Sequence, residues 1–271
     1  MDNALSTRLD AAKRICREAG DAALTYFQQL DTLTIEHKGH QDLVSEADRN
    51  VELIIRDRLS AAFAEDAIVG EEHDTVVGTS GYTWVIDPID GTSNFLAGIP
   101  AWVVVLACVH EAQTVIGVIY DPVHDELYWA TRGEGAFRDG RALAVSQSPG
   151  LGLGSVGIGF STRVRALNVC DVIAELLEQG GMFYRNASGA LSLAYVADGR
   201  LLGFIEEHMN AWDCLAGQLL VSEAGGQIED QDADAMIQHG GRVVAGCPSV
   251  FDAIQAIADQ RFTPNAGTPS V

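Results

Sequence analysis

The chain has 271 residues, 47% of them hydrophobic, so it can bury a large core without covalent staples. Its formal net charge of −21 repels nucleic-acid phosphates and anionic lipids, which argues against a nucleic-acid binder or a membrane-surface protein. No apolar run approaches the roughly 18 residues of a membrane span. Five cysteines, with no Cys-x-x-Cys pair and no signal peptide, predict free thiols in a reducing cytoplasm.

Two helices and a mainly antiparallel sheet are predicted for residues 1–145. Apolar residues recur at helical spacing over 4–29, and a second helix is expected to begin at Ser45, which forms a capping-box pattern with Asp48. Closely spaced β-rich segments with turn residues between them follow, and these predict hairpins. The strands are expected at 102–110, 114–120, 126–131 and 136–138.

One segment of this half carries two carboxylates around a proline. Residues 84–86 predict a short buried strand, and the tight turn that is expected to end it contains Asp87, Pro88, Ile89 and Asp90. Pro88 fixes its own φ and favours an extended Asp87, so both carboxylates have defined directions. Two carboxylates and the Ile89 carbonyl are oxygen ligands that suit Mg²⁺. An isolated Asp-x-x-Asp pair is more often a solvated turn.

A second acidic segment, Gly70-Glu71-Glu72, follows the apolar pair Ile68-Val69. The pattern predicts a strand that ends in carboxylates, as at Asp87. Taken by itself, a Glu-Glu pair is typical of a solvated surface.

The second half, residues 146–271, is predicted to be an α/β unit that begins after a glycine-rich boundary at 146–154. Strands are expected near 154–159, 182–186, 201–205 and 242–246, and helices near 166–179, 189–198, 212–224 and 249–259. Asp213 falls in the first turn of the third of these helices, where the helix dipole favours an anion. Residues 263–271 are small and polar, which predicts a frayed tail.

The three acidic segments together resemble a known family. Gly70-Glu71-Glu72, Asp87-Pro-Ile-Asp-Gly-Thr92 and the run from Trp212-Asp213 to Gly226 correspond in order and spacing to the motifs of the inositol monophosphatase family, which belongs to the lithium-sensitive, Mg²⁺-dependent phosphatases. The resemblance covers nearly the whole chain. It implies an α+β fold, the layered αβαβα arrangement of the sugar phosphatases, with the active site between the two halves. It also implies a homodimer.

The resemblance also implies the roles of the acidic residues. Glu71, Asp87 and the Ile89 carbonyl would bind one Mg²⁺, and Asp87, Asp90 and Asp213 a second, with two to three ions in each site. Several carboxylates are needed because two dications about 4 Å apart repel each other. Glu71, Thr92 and Asp90 would form the catalytic group, with Glu71 and Thr92 around the attacking water.

Substrate contacts and supporting residues follow from the same resemblance. The substrate would contact the backbone of Gly91 and residues Thr92, Ser188, Ala190, Glu206 and Asp213. Lys38 and Asp48 would lie next to the metal ligands without binding the metal themselves. The segments 185–190 and 206–211, and the bulky Leu215, depart from the family pattern at stretches expected to face the substrate, which leaves the substrate's identity open.

The expected function is hydrolysis of a small polyol phosphate, with myo-inositol monophosphate as the leading candidate, by attack of a metal-activated water. Histidinol phosphate, fructose 1,6-bisphosphate and 3′-phosphoadenosine 5′-phosphate are substrates of related enzymes and stay open. A regulatory binding protein that retains the fold is the alternative from a different class.

Overall fold

The computed structural model describes residues 3–32, 35–39 and 42–262, and for residues 3 and 32–44 only the backbone. The predicted tail at 263–271 and the side chain of Lys38 therefore lie outside the described part. Helices are α1 (Asn3–Phe27), α2 (Glu46–Ala62), α3 (Thr92–Leu96), α4 (Ala166–Glu178), α5 (Gly189–Ala197), α6 (Ala211–Glu223), α7 (Ala233–His239) and α8 (Pro248–Arg261). Short 3₁₀ turns occupy Leu30–Thr32 and Leu151–Leu153.

The larger sheet has seven strands in the order of the chain. They are β3 (Ala67–Gly70), β4 (Tyr82–Asp90), β5 (Val103–His110), β6 (Gln113–Asp121), β7 (Glu126–Thr131), β8 (Ala136–Arg138) and β9 (Arg141–Ala142). Only β3 and β4 are parallel, and the remaining pairs are antiparallel. A separate hairpin is formed by β1 (Ile35–Gly39) and β2 (Asp42–Ser45).

The smaller sheet has five strands and a crossed order. Its strands are β10 (Ser155–Ile158), β11 (Met182–Tyr184), β12 (Gly203–Met209), β13 (Gln227–Ile228) and β14 (Gly241–Gly246). Their order is β11-β10-β12-β14-β13, with β10 parallel to both of its neighbours and β14 antiparallel to both of its own.

Five layers result from the way the helices cover these sheets. Helices α1 and α2 pack on one face of the larger sheet, where Trp84, Ile86, Val104 and Leu106 join their core. Helices α5 and α6 lie between the two sheets, and α4 and α8 cover the outer face of the smaller one. Strand β5 is buried on both faces, which explains its uninterrupted apolar sequence. The predicted αβαβα fold is confirmed.

Helix α6 lies unusually close to the larger sheet at Gly117 of β6. A Cβ atom at this position would lie 2.7 Å from the carbonyl oxygen and 2.9 Å from the Cα of Ala216 in α6. Only glycine therefore fits between strand and helix here. This contact fixes the depth of α6 and of Asp213 at its first turn.

The division into 1–145 and 146–271 stays a prediction, because the core around α5 and α6 contains residues of both sheets. Among the described residues, no helix combines the length and the apolar character needed to cross a bilayer.

Candidate active site

The first feature of the site is a bulge in β4. Asp87 pairs with Val105 and Asp90 with Val103, so three steps along β4 face two steps along β5. In a regular strand, residues three apart point to opposite faces, and the extra residue brings both carboxylates to the same side. The predicted tight turn at this point was wrong, since the strand continues through Asp90. The proline and the bulge, and not a turn, bring the carboxylates of Asp87 and Asp90 together.

Asp213 joins these two carboxylates from the other half of the chain. In the described part of the structure, Asp87, Asp90 and Asp213 each offer a carboxylate oxygen within 4.8 Å of the others. As predicted, Asp213 lies in the first turn of α6. Its Oδ2 accepts hydrogen bonds from the backbone nitrogen and the Nδ2 of Asn210, at 3.1 and 3.2 Å. These bonds hold the carboxylate at the helix end.

Helix α5 holds Asp90. The Oδ2 of Asp90 accepts a 2.9 Å hydrogen bond from the backbone nitrogen of Ala190 and a short one from the hydroxyl of Ser188, the N-cap of α5. Both residues were predicted to contact the substrate. Those contacts stay a prediction: the Ser188 hydroxyl and the Ala190 amide donate to Asp90, and Ser188 also lines the cavity described below.

Burial raises the pKa values of all three carboxyls, and neighbouring negative charges add to the rise at Asp87 and Asp90. Burial, followed by the charges of Glu71, Asp90 and Asp213, raises the pKa of Asp87 well above its ordinary value. Burial and the charge of Asp213 raise the pKa of Asp90 to about 7, despite the hydrogen bonds from Ser188 and Ala190. Burial also raises the pKa of Asp213, which hydrogen bonds to Asp87. The Asp87–Asp213 pair therefore needs either a shared proton or a cation.

Thr92 connects this cluster to α2. Its hydroxyl lies 3.1 Å from the Ile89 carbonyl oxygen and 3.3 Å from Oδ1 of Asp48. Asp48 is buried and forms the predicted capping box, accepting bonds from the backbone nitrogen and hydroxyl of Ser45 at 2.9 and 2.6 Å. Burial raises the pKa of Asp48, and the hydrogen bonds from Ser45 and Thr92 oppose that rise.

Glu71 follows β3 and lies near the cluster without belonging to its tightest group. Its charge helps to raise the pKa of Asp87, although its oxygens are not among those within 4.8 Å of one another. Because β3 is parallel to β4, the two strands end on the same side of the sheet. This parallel pairing explains why Glu71 and Asp87 approach each other.

A cavity of about 160 Å³ opens beside Asp90 and Asp213. Its wall includes Glu206, whose pKa is raised to about 8 by burial and by the charge of Asp213. A Cβ at Gly159 would lie 1.8 Å from Oε2 of Glu206, so this glycine gives the carboxyl its space. Leu215, expected among substrate-facing residues, instead lines a different cavity on the far side of α6.

The loop 185–188 forms another part of the cavity wall, and its attachment to the first half of the chain was not predicted. The Nδ2 of Asn94, just after α3 begins, donates to the Asn186 carbonyl at 2.6 Å and to that of Ala101 at 2.7 Å. Ala187 in this loop has a left-handed φ of 60°, whereas Gly189 does not have a positive φ. No local sequence pattern indicates these links, because the partners are far apart in the chain.

The donor set fits a hard divalent cation. Asp87, Asp90 and Asp213 offer only oxygen ligands, they are buried or half-buried, and their mutual repulsion is the kind of charge that a bound cation offsets. Of the other predicted site residues, Glu71 raises the pKa of Asp87 through its charge, and the Thr92 hydroxyl lies 3.1 Å from the Ile89 carbonyl oxygen. Gly91 follows Asp90 in the chain and is the N-cap of α3, with a left-handed φ of 99°.

Comparison with known proteins agrees with this geometry. The family model described as "Inositol monophosphatase family" matches residues 4–261. An inositol-1-monophosphatase of Mesorhizobium japonicum is 39% identical over 246 residues, which cover 90% of this chain and 92% of that protein. The Nus factor SuhB of Escherichia coli K12 is 36% identical over 251 residues, covering 92% and 94%.

A similar fold is found among solved structures. The extragenic suppressor protein suhB of Bartonella henselae superposes with a TM-score of 0.86 at 32% identity, over 92% of this chain and 96% of that one. The chain belongs to the inositol monophosphatase family.

Proposed function

We propose that this protein is a Mg²⁺-dependent phosphomonoesterase that hydrolyses a small polyol phosphate, with myo-inositol monophosphate as the leading substrate. The observation that carries the proposal is the group formed by Asp87, Asp90 and Asp213, since Asp90 and Asp213 line a cavity whose wall also includes Glu206. A cation held by the three aspartates would lie next to a space large enough for a small ligand. Family membership and the relative named inositol-1-monophosphatase support the same activity.

The chain's own residues divide into ligands and orienting groups. Glu71, Asp87 and the Ile89 carbonyl would hold one ion, and Asp87, Asp90 and Asp213 a second. When bound, Mg²⁺ lowers the pKa of a coordinated water and neutralises charge on phosphate oxygens. Attack of water on phosphorus breaks the bond to the alcohol, which leaves with a proton from solvent.

Thr92 has one hydroxyl proton and two acceptors, the Ile89 carbonyl and Asp48. If the Ile89 oxygen ligates a cation, Thr92 donates to Asp48 instead. An oxygen lone pair of Thr92 is then free to accept a hydrogen bond from the attacking water. Asp48 thus orients the Thr92 hydroxyl, and Glu71 is the carboxylate that receives the proton of the water.

Glu206 is the group suited to a substrate hydroxyl. Its carboxyl lies in the cavity wall with Phe160, Arg185 and Met209. A carboxyl can hydrogen bond to a hydroxyl in either protonation state, which suits a polyol. The backbone amides of Gly91 and Thr92 are proposed to bind the phosphate.

The test is phosphate release with and without Mg²⁺ for the wild type, Asp90→Asn and the control Asp252→Asn, an exposed residue of α8. Asp90→Asn removes a charge from the cluster at constant size, so we expect its turnover to fall by about 10³-fold. The control should keep wild-type turnover. Mg²⁺-dependent activity retained in Asp90→Asn would contradict the proposed roles.

The substrate is resolved by comparing kcat/KM for inositol 1-phosphate, histidinol phosphate, fructose 1,6-bisphosphate and 3′-phosphoadenosine 5′-phosphate. A lead of tenfold, about 1.4 kcal/mol of transition-state preference, would identify the class. A lead for inositol 1-phosphate supports the proposal. A lead for histidinol phosphate would replace the polyol with an amino alcohol.

The relatives named Nus factor SuhB favour a second candidate, a binding protein that retains the fold. In that case a protein partner would bind stoichiometrically, and Asp90→Asn would not weaken the complex. Homodimer formation, inhibition by Li⁺ and a cytoplasmic location are further properties proposed from the family resemblance.

A further inference from the structure

A buried ion pair lies beneath the loop that carries Glu71. Glu52 and Arg56 are one turn apart in α2, and the Nε of Arg56 donates to Oε1 of Glu52 at 2.6 Å. The Glu52 side chain is fully buried and that of Arg56 is 10% exposed. Neither residue belongs to the acidic cluster, and neither was singled out from the sequence.

The hydrogen bonds of this pair are directed at the backbone of residues 72–74. The two terminal nitrogens of Arg56 donate to the carbonyl oxygens of His73 and Asp74, each at 2.9 Å. Oε2 of Glu52 accepts the backbone N–H of Glu72 at 2.7 Å. The Nε and both terminal nitrogens of Arg56 and both carboxylate oxygens of Glu52 are therefore engaged.

The approach of Glu52 to this loop depends on Gly70, the last residue of β3. A Cβ atom at position 70 would lie 2.2 Å from Oε1 of Glu52 and 2.9 Å from a terminal nitrogen of Arg56. Gly70 thus lets the ion pair lie directly against the backbone on the N-terminal side of Glu71. The backbone of Glu71 is held on one side by this contact and on the other by the bond to Glu72.

The loop 71–74 needs these contacts because the negative charge of Glu71 is repelled by the carboxylates of the acidic cluster. Glu71, Glu72 and Asp74 are acidic, and the parallel pairing of Gly70 with Ile86 brings Glu71 next to Asp87, so the two carboxylates repel each other. A loop free to move would carry Glu71 away from the cluster. A cation would then have to bring Glu71 back, and that cost would weaken its binding.

A contribution to the overall stability of the fold is a weaker explanation for the Glu52–Arg56 pair than the positioning of the loop. A buried ion pair gains little net free energy, because removing both charges from water costs about as much as their attraction returns. We propose that Glu52 and Arg56 are a positioning pair, which holds the loop 71–74 so that Glu71 is in place to bind the metal. The proposal rests on the proposed function, since it assigns a purpose to the geometry of that site.

Arg56→Lys tests the proposal. Lysine keeps a cation beside Glu52 but lacks the planar fork that reaches both carbonyl oxygens. We expect Mn²⁺, titrated by calorimetry into the metal-free protein, to bind about tenfold more weakly, as for the loss of other groups that orient metal ligands. The Mg²⁺ concentration for half-maximal activity should rise by the same factor, while kcat at saturating Mg²⁺ stays within about threefold of the wild type.

Arg58→Lys is the matched control. Arg58 lies two residues further along α2 and pairs with Glu18 at the surface, away from the loop. Its variant should bind Mn²⁺ as the wild type does. Hydrogen exchange at the amides of residues 70–74 should accelerate in Arg56→Lys and not in Arg58→Lys, which reports the loop directly.

A folded Arg56→Lys protein with wild-type Mn²⁺ affinity would overturn the proposal. If that variant does not fold, Glu52→Gln replaces it, because glutamine keeps an acceptor for the Glu72 amide but loses the charge that holds Arg56. Glu52→Gln is then expected to weaken Mn²⁺ binding by the same factor, and an unchanged Mn²⁺ affinity would again overturn the proposal. A wild type that binds no Mn²⁺ would overturn the proposed function itself, and the inference with it.

Discussion

At the scale of single residues, Ala187 is held in a backbone conformation that is unfavourable for any residue other than glycine. Its φ of 60° lies in the left-handed region, which costs a residue with a Cβ about 1 kcal/mol relative to glycine. Its neighbour Ser188 must cap α5 while donating to Asp90, and Asn94 holds the carbonyl of Asn186 on the other side. These contacts fix the backbone at Ala187 in its strained conformation.

Ala187→Gly should therefore stabilise the protein by about 1 kcal/mol, which corresponds to a rise in Tm of about 2–4 °C. Thermal unfolding followed by circular dichroism measures the change. Ala97→Gly is the control, since Ala97 is also exposed but has an ordinary φ of −85°, where glycine should lower the Tm. A fall in Tm for both variants would mean that Ala187 is not strained.

At the scale of secondary structure, the site depends on how deeply α6 lies against the larger sheet. The backbone of Ala216 touches Gly117 of β6, and Asp213 is one turn before Ala216. Any side chain at position 117 must push α6 outward. The carboxylate of Asp213 would move with the helix, away from Asp87 and Asp90 on β4.

Gly117→Ala is expected to lower the free energy of unfolding by about 1–3 kcal/mol, the cost of overpacking a core. It should also weaken Mg²⁺ binding, because Asp213 moves. Chemical denaturation and a metal titration measure the two effects. Gly150→Ala is the control, with an extended backbone and open space around its Cβ. Unchanged stability at position 117 would show that α6 can shift without loss.

At the scale of the whole molecule, the acidic cluster joins the two halves of the chain and opposes their association when no metal is bound. Asp87 and Asp90 come from the larger sheet, and Asp213 comes from a helix of the second half. Burial and the charge of Asp213 raise the pKa of Asp90 to about 7, from an ordinary value of about 3.9. Folding thus favours the protonated form.

The sign of the pH dependence follows from linkage. Between pH 4 and pH 7 the folded protein binds more protons than the unfolded chain, so the contribution of Asp90 to stability falls as pH rises. In EDTA, Asp90→Asn should have the same Tm as the wild type near pH 4 and a progressively higher Tm up to pH 8. In saturating Mg²⁺ the wild type should instead have the higher Tm, because it binds the metal better than Asp90→Asn does.

The control for this series is Asp252→Asn, at an exposed position of α8. Its Tm should follow that of the wild type at every pH, with and without Mg²⁺. A difference between Asp90→Asn and the wild type that stays constant from pH 4 to pH 8 would contradict the raised pKa of Asp90.

Local sequence patterns predicted the parts of the site that depend on neighbouring residues. The capping box of Ser45 and Asp48 and the place of Asp213 in the first turn of α6 are formed within four residues of the chain, and both were predicted. The bulge in β4 was missed. A bulge is defined by the register between β4 and β5, and that register is not contained in the sequence of β4 alone.

On the substrate side of the site, the predicted contacts stay predictions, and the structure adds links that were not foreseen. Ser188 and Ala190 were expected to contact the substrate, and the structure shows in addition that they donate to Asp90, which is about a hundred residues earlier in the chain. Leu215 was expected in the same region and lies on the opposite side of α6. Each difference involves two segments whose separation is set by packing.

The sequence by itself determined the family, most of the longer helices and strands, and the acidic segments, because periodicity, capping and motif spacing are properties of short segments; the hairpin of β1 and β2, the short strands β9 and β13 and helix α7 were not predicted. Only the tertiary structure decided that β4 bulges to align Asp87 with Asp90, that Gly117 admits α6, and that Glu52 and Arg56 support the Glu71 loop. These features arise where distant segments touch. Close packing and the hydrogen-bonding needs of buried groups, which act on the folded chain as a whole, fix them.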